Sequence, residues 1–325
     1  MKRRHFLLAA GITGIASSAR SQQPSLPRIA YLSGRSQATD AHLLDAFREG
    51  LKATGYVDGQ NVTLAVRWGD GRYGDMPTLA VEVAATRPDV FVAVGGNPVG
   101  LAAKAATSTI PVVFGAGADP VKIGLVDNLN RPGGNLTGMT LWANELDAKR
   151  LDLLHDMLPR ARKVAVLMNP DNPGYEELLP RTREVAATLG LEIQLLTAAS
   201  TSAIERAFQS LPAGSVDALA VGADAFLINS RARILALTNE RKLPAIFPAR
   251  EFAVDGGLAS YGTNWADMYR LLGSYTGRLL KGAKPIDLPV QRPTTYELVV
   301  NLKTARMLGL ELPPLTLTRA DEVIE

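Results

Sequence analysis

The chain has 325 residues, 46% hydrophobic and 21% charged, with 29 glycines, 20 prolines and no cysteine. This is the composition of a globular chain long enough for two domains, and the lack of cysteine excludes disulfides, thiolate metal sites and thiol nucleophiles. The formal charge of +3 comes from 35 Lys and Arg against 32 Asp and Glu, yet Lys2, Arg3, Arg4 and Arg20 all stand in the first 21 residues. Without them the balance is 31 to 32, a net −1, which removes the electrostatic support for nucleic acid as a partner.

Those first residues read as an address. Lys2-Arg3-Arg4 is a positive start, Phe6 to Ile15 a short apolar run, and Ala16 to Ala19 a string of small residues before Ser21-Gln22-Gln23-Pro24. That is the layout of a secretory signal peptide, residues 1–21, cleaved after Ala19 or Ser21. Arg3-Arg4-His5-Phe6-Leu7 also has the form of a twin-arginine signal, although Lys2 stands where Ser or Thr is usual. An apolar core this short does not span a hydrocarbon layer of roughly 30 Å. The expectation is a periplasmic protein without a lipid-bearing cysteine.

From Arg28 onward, short apolar runs alternate with amphipathic stretches. Ile29 to Leu32 reads as a strand ending in Ser33-Gly34, and Asp40 opens a helix with Leu43, Leu44, Phe47 and Leu51 on one face that stops at Gly55. Val62 to Trp68 alternates as a strand, and Met76 to Ala85 reads as a helix with Pro77 in its first turn. Val90 to Val94 is a buried strand ending in Gly95-Gly96-Asn97, followed by a helix over 98–107 and a strand from Pro111 to Phe114. After the Pro/Gly-rich join at Arg131 to Asn135 the pattern restarts. Val164 to Met168 is a strand, 174–188 a helix closed by Gly190, and Glu192 to Leu196, Ala218 to Val221, Ala245 to Phe247 and Gly257 to Tyr261 are further strands. Strand–helix repetition at this spacing builds right-handed crossovers and parallel sheets. The fold class is therefore α/β, with two doubly wound parallel-sheet lobes joined by a hinge.

Parallel sheets bind ligands beyond the carboxyl ends of their strands. The candidate site is the set of residues just after each strand, namely Ser33, Asn97, Asp119, Asn169, Asp224 and Tyr261, mostly small and polar. Helix starts after Ser33, Asn97, Asp119 and Asn169 present amide dipoles that suit a carboxylate, and Asp119 or Asp224 would take a ligand ammonium. Asp119 has a second reading as the cap of a helix beginning at Pro120.

Catalytic, metal and cofactor signals are weak. Gly69-Asp70-Gly71-Arg72-Tyr73-Gly74 matches G-x-G-x-x-G, but it follows the second strand, and the next strand carries no acid for a ribose. A turn needing positive φ is the favoured reading. Beyond the leader the histidines are His42 and His155, in separate helices and without histidine neighbours, so no metal, catalytic group or cofactor is expected. Trp68, Trp142 and Trp265 each have a packing and a ligand-stacking reading.

Several runs together resemble a known family: Arg67 to Tyr73, Ala106 to Phe114, Ala118-Asp119-Pro120-Val121, Gly124-Leu125-Val126, Asn130 to Gly138, Gly256 to Gly262 and Glu297 to Ala305. The chain resembles the periplasmic substrate-binding proteins of ATP-binding-cassette importers, in a branch related to tryptophan- and tyrosine-binding proteins. The resemblance implies a type I periplasmic-binding fold, with 27–139 plus 264–283 as one lobe and 140–263 plus 284–325 as the other. It also implies binding positions at Ser33, the Gly96-Asn97 loop, Asp119, the Asn169-Pro170 loop, Asp224 and Tyr261. The function implied is capture of a small molecule, an amino acid or related carboxylate, by a monomer that delivers it to a permease in the inner membrane. Two alternatives share the pattern: an exported Rossmann-like enzyme acting on a small acid or sugar, and a sensor domain.

Overall fold

A computed structural model describes residues 26–140 and 143–325; the expected leader and Trp142 lie outside the described residues. The first half comprises β1 (Arg28–Ser33), α1 (Gln37–Ala53), β2 (Thr63–Trp68), α2 (Met76–Ala85), β3 (Val90–Val94), α3 (Asn97–Ala106), β4 (Val112–Ala116) and β5 (Leu136–Thr140). Their strands form a parallel sheet in the order β2-β1-β3-β4-β5. β3, Val-Phe-Val-Ala-Val, is buried along its whole length because helices cover both faces of the sheet.

The chain then continues through α4 (Ala143–Met157), β6 (Lys163–Met168), α5 (Tyr175–Thr188), β7 (Glu192–Thr197), α6 (Thr201–Gln209), β8 (Ala218–Val221), α7 (Ala225–Asn229), α8 (Arg231–Glu240), β9 (Ala245–Phe247), α9 (Arg250–Val254) and β10 (Ala259–Thr263). After α10 (Trp265–Leu280) come β11 (Tyr296–Asn301), α11 (Leu302–Met307), α12 (Pro314–Arg319) and β12 (Glu322–Ile324). The second sheet runs β7-β6-β8-β9-β10-β11-β12. Its first five strands, in chain order, repeat the pairing of the first sheet. It is not purely parallel: β10 and β11 pair antiparallel, Tyr261 opposite Leu298.

Two clusters cover the faces of the first sheet. One holds Tyr31, Phe47 and Leu272, the other Leu32, Phe91 and Phe114. The second sheet is packed in the same way around Val164 and Ile246 on one side and Leu219, Ile234 and Phe247 on the other. α10 returns from β10 to lie on α1, its Met268, Tyr269 and Leu272 joining the first lobe's core. The stretch after it differs from the expected boundary at 284. Leu288 and Val290 are buried in the first lobe's two clusters, and Gln291 pairs with Gly138 and Thr140 at the edge of β5. Edge amides of β5 need partners, and this segment supplies them. Among the described residues, no helix is long and apolar enough to cross a membrane.

Candidate functional site

In both sheets the strand order reverses between the first strand of the lobe and its third, β1 and β3 in one lobe and β6 and β8 in the other. Loops leaving the strands at such a point diverge and open a crevice. The two crevices face each other across the interlobe cleft, around a cavity of about 40 Å³. The first lobe contributes Arg35, Tyr73, the Gly95–Asn97 loop and the Gly115–Gly117 loop; the second contributes Asn172, the Ala223–Ala225 turn and Ile228; α10 adds Trp265 and Met268.

Close backbone approach makes the first crevice. A Cβ on Gly34 would lie 2.5 Å from the Gly95 carbonyl oxygen, and one on Gly95 would lie 2.9 Å from the Gly34 nitrogen, with Gly95 already at φ 79°. Only glycine fits either place. Asn97, 3% exposed, then ties the loops together: its Oδ1 accepts from the amides of Gly117 (2.8 Å) and Ala118 (3.0 Å), while Nδ2 donates across the cleft to Asn172 Oδ1 (3.1 Å).

Asp224 is the polar centre of the second lobe's wall. It caps α7, Oδ1 accepting from the Leu227 amide at 3.1 Å. The same oxygen accepts from Asn169 Nδ2 (3.1 Å), and Oδ2 accepts from Asn172 Nδ2 (2.9 Å) and from the Tyr73 hydroxyl of the other lobe. Burial raises its pKa above the usual carboxylate range, and these four donors pull the other way. No cationic side chain among the described residues pairs with it. Tyr73 also accepts from the Ala225 amide at 3.2 Å; burial and the adjacent carboxylate push its phenol well above its ordinary pKa, so it stays a donor.

Of the residues expected from sequence, Gly96, Asn97 and Asp224 line the cavity. Asn169 and Ser33 stand just behind it: Asn169 orients Asp224 and accepts from the Asp171 amide, while the fully buried Ser33 accepts the Arg35 amide at 3.1 Å. Asp119 and Tyr261 stand apart from the lining. The Asp119 carboxylate caps a turn, accepting from the amides of Val121 and Lys122. The ring of Tyr261 leans on Tyr296, centroids 6.4 Å apart, because its strand position faces that side of the sheet. Trp68 packs edge-on against Tyr31, whereas Trp265 faces the cavity. His42 bridges the lobes, Nε2 to Glu251 Oε1 at 2.9 Å. The glycine-rich run after β2 is a turn, with Asp70 at φ 51° and Gly71 at φ 76°, and its contribution to the site is Tyr73. Arg35 carries no local signal in the sequence and joins the lining only through the fold. Among the described residues, no group of three or more His, Asp or Glu is placed to hold a metal.

Comparison with known proteins agrees with this architecture. Residues 35–324 match the family model described as ABC transporter substrate binding protein. A tyrosine-binding protein of Clostridioides difficile is 28% identical over 285 residues, which is 86% of this chain and 81% of that one. A conserved domain protein of Vibrio cholerae superposes with a TM-score of 0.85 at 26% identity, covering 91% of this chain and 99% of the other. The Streptococcus pneumonia ABC domain in complex with L-Trp gives 0.84, also at 26% identity, covering 92% and 100%. With two matched sheets closing on a shared cleft, this chain belongs to the ABC transporter substrate-binding proteins, a family that captures a small solute for an importer.

Proposed function

We propose that the cleft binds an amino acid or a related carboxylate, and that the protein works in the periplasm as a monomer, releasing its cargo unchanged to an inner-membrane permease. The observation that carries this reading is the cavity at the paired switch points, where the buried Asp224 carboxylate meets only neutral donors. A buried carboxylate without a cation favours an ammonium brought in by a ligand. In the bound state the ammonium would share Asp224 with Tyr73 and Asn172, and the loops at Gly96 and Asn97 would close over the remainder. The relatives with tyrosine and tryptophan support the class of ligand rather than the particular side chain.

The reading is tested by thermal-shift and calorimetric titration against amino acids, organic acids and sugars. A true cargo at about 100 times its Kd stabilises the protein by about 2.7 kcal/mol and is recovered chemically intact. Time-dependent conversion of the bound compound would replace this reading with an enzymatic one.

A further inference from the structure

The cleft contains a buried guanidinium that the wall described above does not use. Arg35, two residues past β1, is 1% exposed and lines the cavity. Its Nε pairs with Asp40 Oδ2 at 2.5 Å, and its Cζ stands 5.0 Å from the ring centroid of Trp265. Both terminal nitrogens are shut off from solvent and reach no hydrogen-bond acceptor in the protein.

A guanidinium offers five N–H donors in a fixed planar fork. Asp40 occupies the Nε side and the indole covers a face, so the end formed by Nη1 and Nη2 remains. Charged donors held out of water without an acceptor are costly to keep. The surroundings keep the group charged all the same: burial works against it, but the charges of Asp40 and, farther off, Glu251 hold its pKa above the ordinary value. Across the cavity stands Asp224, which repels an anion from its own wall.

We infer that Arg35 is the anion anchor of the cleft, its Nη1 and Nη2 receiving a carboxylate of the cargo through paired charge-assisted hydrogen bonds. The inference rests on the cleft being the cargo site, and it adds a polarity: carboxylate toward Arg35 and Trp265, ammonium toward Asp224. It makes an anionic group a requirement for binding, so neutral sugars, esters and simple amines of the same shape are rejected. The fork matters as well as the charge, because lysine supplies a point charge without the bidentate geometry.

Calorimetry on the mature full chain tests this with L-tyrosine, L-tryptophan and L-leucine, each set against its methyl ester and its decarboxylated amine, with glucose and arabinose as neutral probes. At least one acid is expected to bind, with its ester and amine weaker by roughly 30-fold or more. Arg35→Gln alone would strand Asp40 in the interior, so it is combined with Asp40→Asn; the pair is expected to lose a similar factor for the acid, and Arg35→Lys a smaller one. If the double variant does not fold, the acid-to-ester ratio of the wild type decides. An ester or a sugar bound as tightly as the acids, or undiminished binding by the folded double variant, would overturn the anchor while leaving solute capture in place. No binding by any member of the panel would overturn both.

Discussion

Side chains of one chemical type serve different ends in this cleft, and their partners tell them apart. Asp119 and Asp224 both follow a strand and both cap the segment after it. Asp119 is satisfied by local amides at 2.9 and 3.4 Å, whereas Asp224 adds side-chain donors from its own lobe and from across the cleft. Asp119→Asn keeps a capping oxygen, so it should cost at most a few tenths of a kcal/mol, roughly, in stability and leave ligand affinity unchanged; a tenfold loss in titration calorimetry would put Asp119 back into the site. Glu251 shows a third environment. Burial opposes its ionisation, but the bond from His42 and the charge of Arg35 hold its carboxyl at about 2. A depressed folded pKa contributes stability that is present above the unfolded value of about 4.5 and lost as pH falls toward 2. The contribution is on the order of 3 kcal/mol. Urea midpoints should therefore fall more steeply between about pH 5 and pH 3 for the wild type than for Glu251→Gln; parallel curves would mean that neither the His42 bond nor the Arg35 charge favours the ionised carboxyl.

Elements place these residues, and one contact carries much of that placement. α10 lies so close on α1 that a Cβ at Gly50 would stand 1.8 Å from the Arg270 carbonyl oxygen, and one at Gly273 would stand 2.1 Å from the Phe47 carbonyl oxygen. Backbone cannot step aside as a side chain does. Gly273→Ala should lift α10 from α1 at a cost of about 3 kcal/mol, roughly 5–10 °C in melting temperature, and should also weaken binding because Trp265 and Met268 ride on that helix. A variant that melts with the wild type would show that the helices have slack. The alternation of β1 to β4 with their helices was legible from apolar runs and caps alone. β5 was not: Leu-Thr-Gly-Met-Thr has little apolar character and becomes a strand only because β4 and the 288–291 segment flank it. β11 and β12 escaped for a related reason, since only an edge partner reveals an added antiparallel strand. Arg35, Tyr73 and Asn172 are polar residues in ordinary turns, and their convergence is tertiary: Tyr73 and Asp224 meet across 151 positions of sequence.

At the scale of the whole molecule, the two sheets are tied by small polar contacts spread around the cleft, together with Trp265, which packs against a core cluster of each lobe. Tyr73 reaches Asp224, Asn97 reaches Asn172, His42 reaches Glu251, and Lys122 reaches Glu177 at 2.5 Å. The exposed and neutral ones, Lys122–Glu177 and Asn97–Asn172, are each worth about 1 kcal/mol or less net of solvent, and those to the buried Asp224 and Glu251 carboxylates about 1.5–3 kcal/mol, so closure is a balance that cargo can tip. Asn229, at the end of α7, isolates this effect because it is not among the cavity-lining residues. Its Oδ1 accepts from the Ser36 amide (3.2 Å) and from Thr39 Oγ1 (3.1 Å) on the opposite lobe. Asn229→Ala removes these two bonds, and a longer one from Nδ2 to the Gly34 carbonyl oxygen at 3.5 Å, without touching the ligand. If closure and binding are one linked equilibrium, the loss of about 1–2 kcal/mol from the closed state appears as a 5- to 30-fold weaker Kd, roughly. Within-lobe packing is untouched, so the ligand-free melting temperature should stay near that of the wild type. Calorimetry beside a melting curve separates the cases: an unchanged Kd with a lowered melting temperature would make Asn229 a packing residue and uncouple these rim bonds from capture.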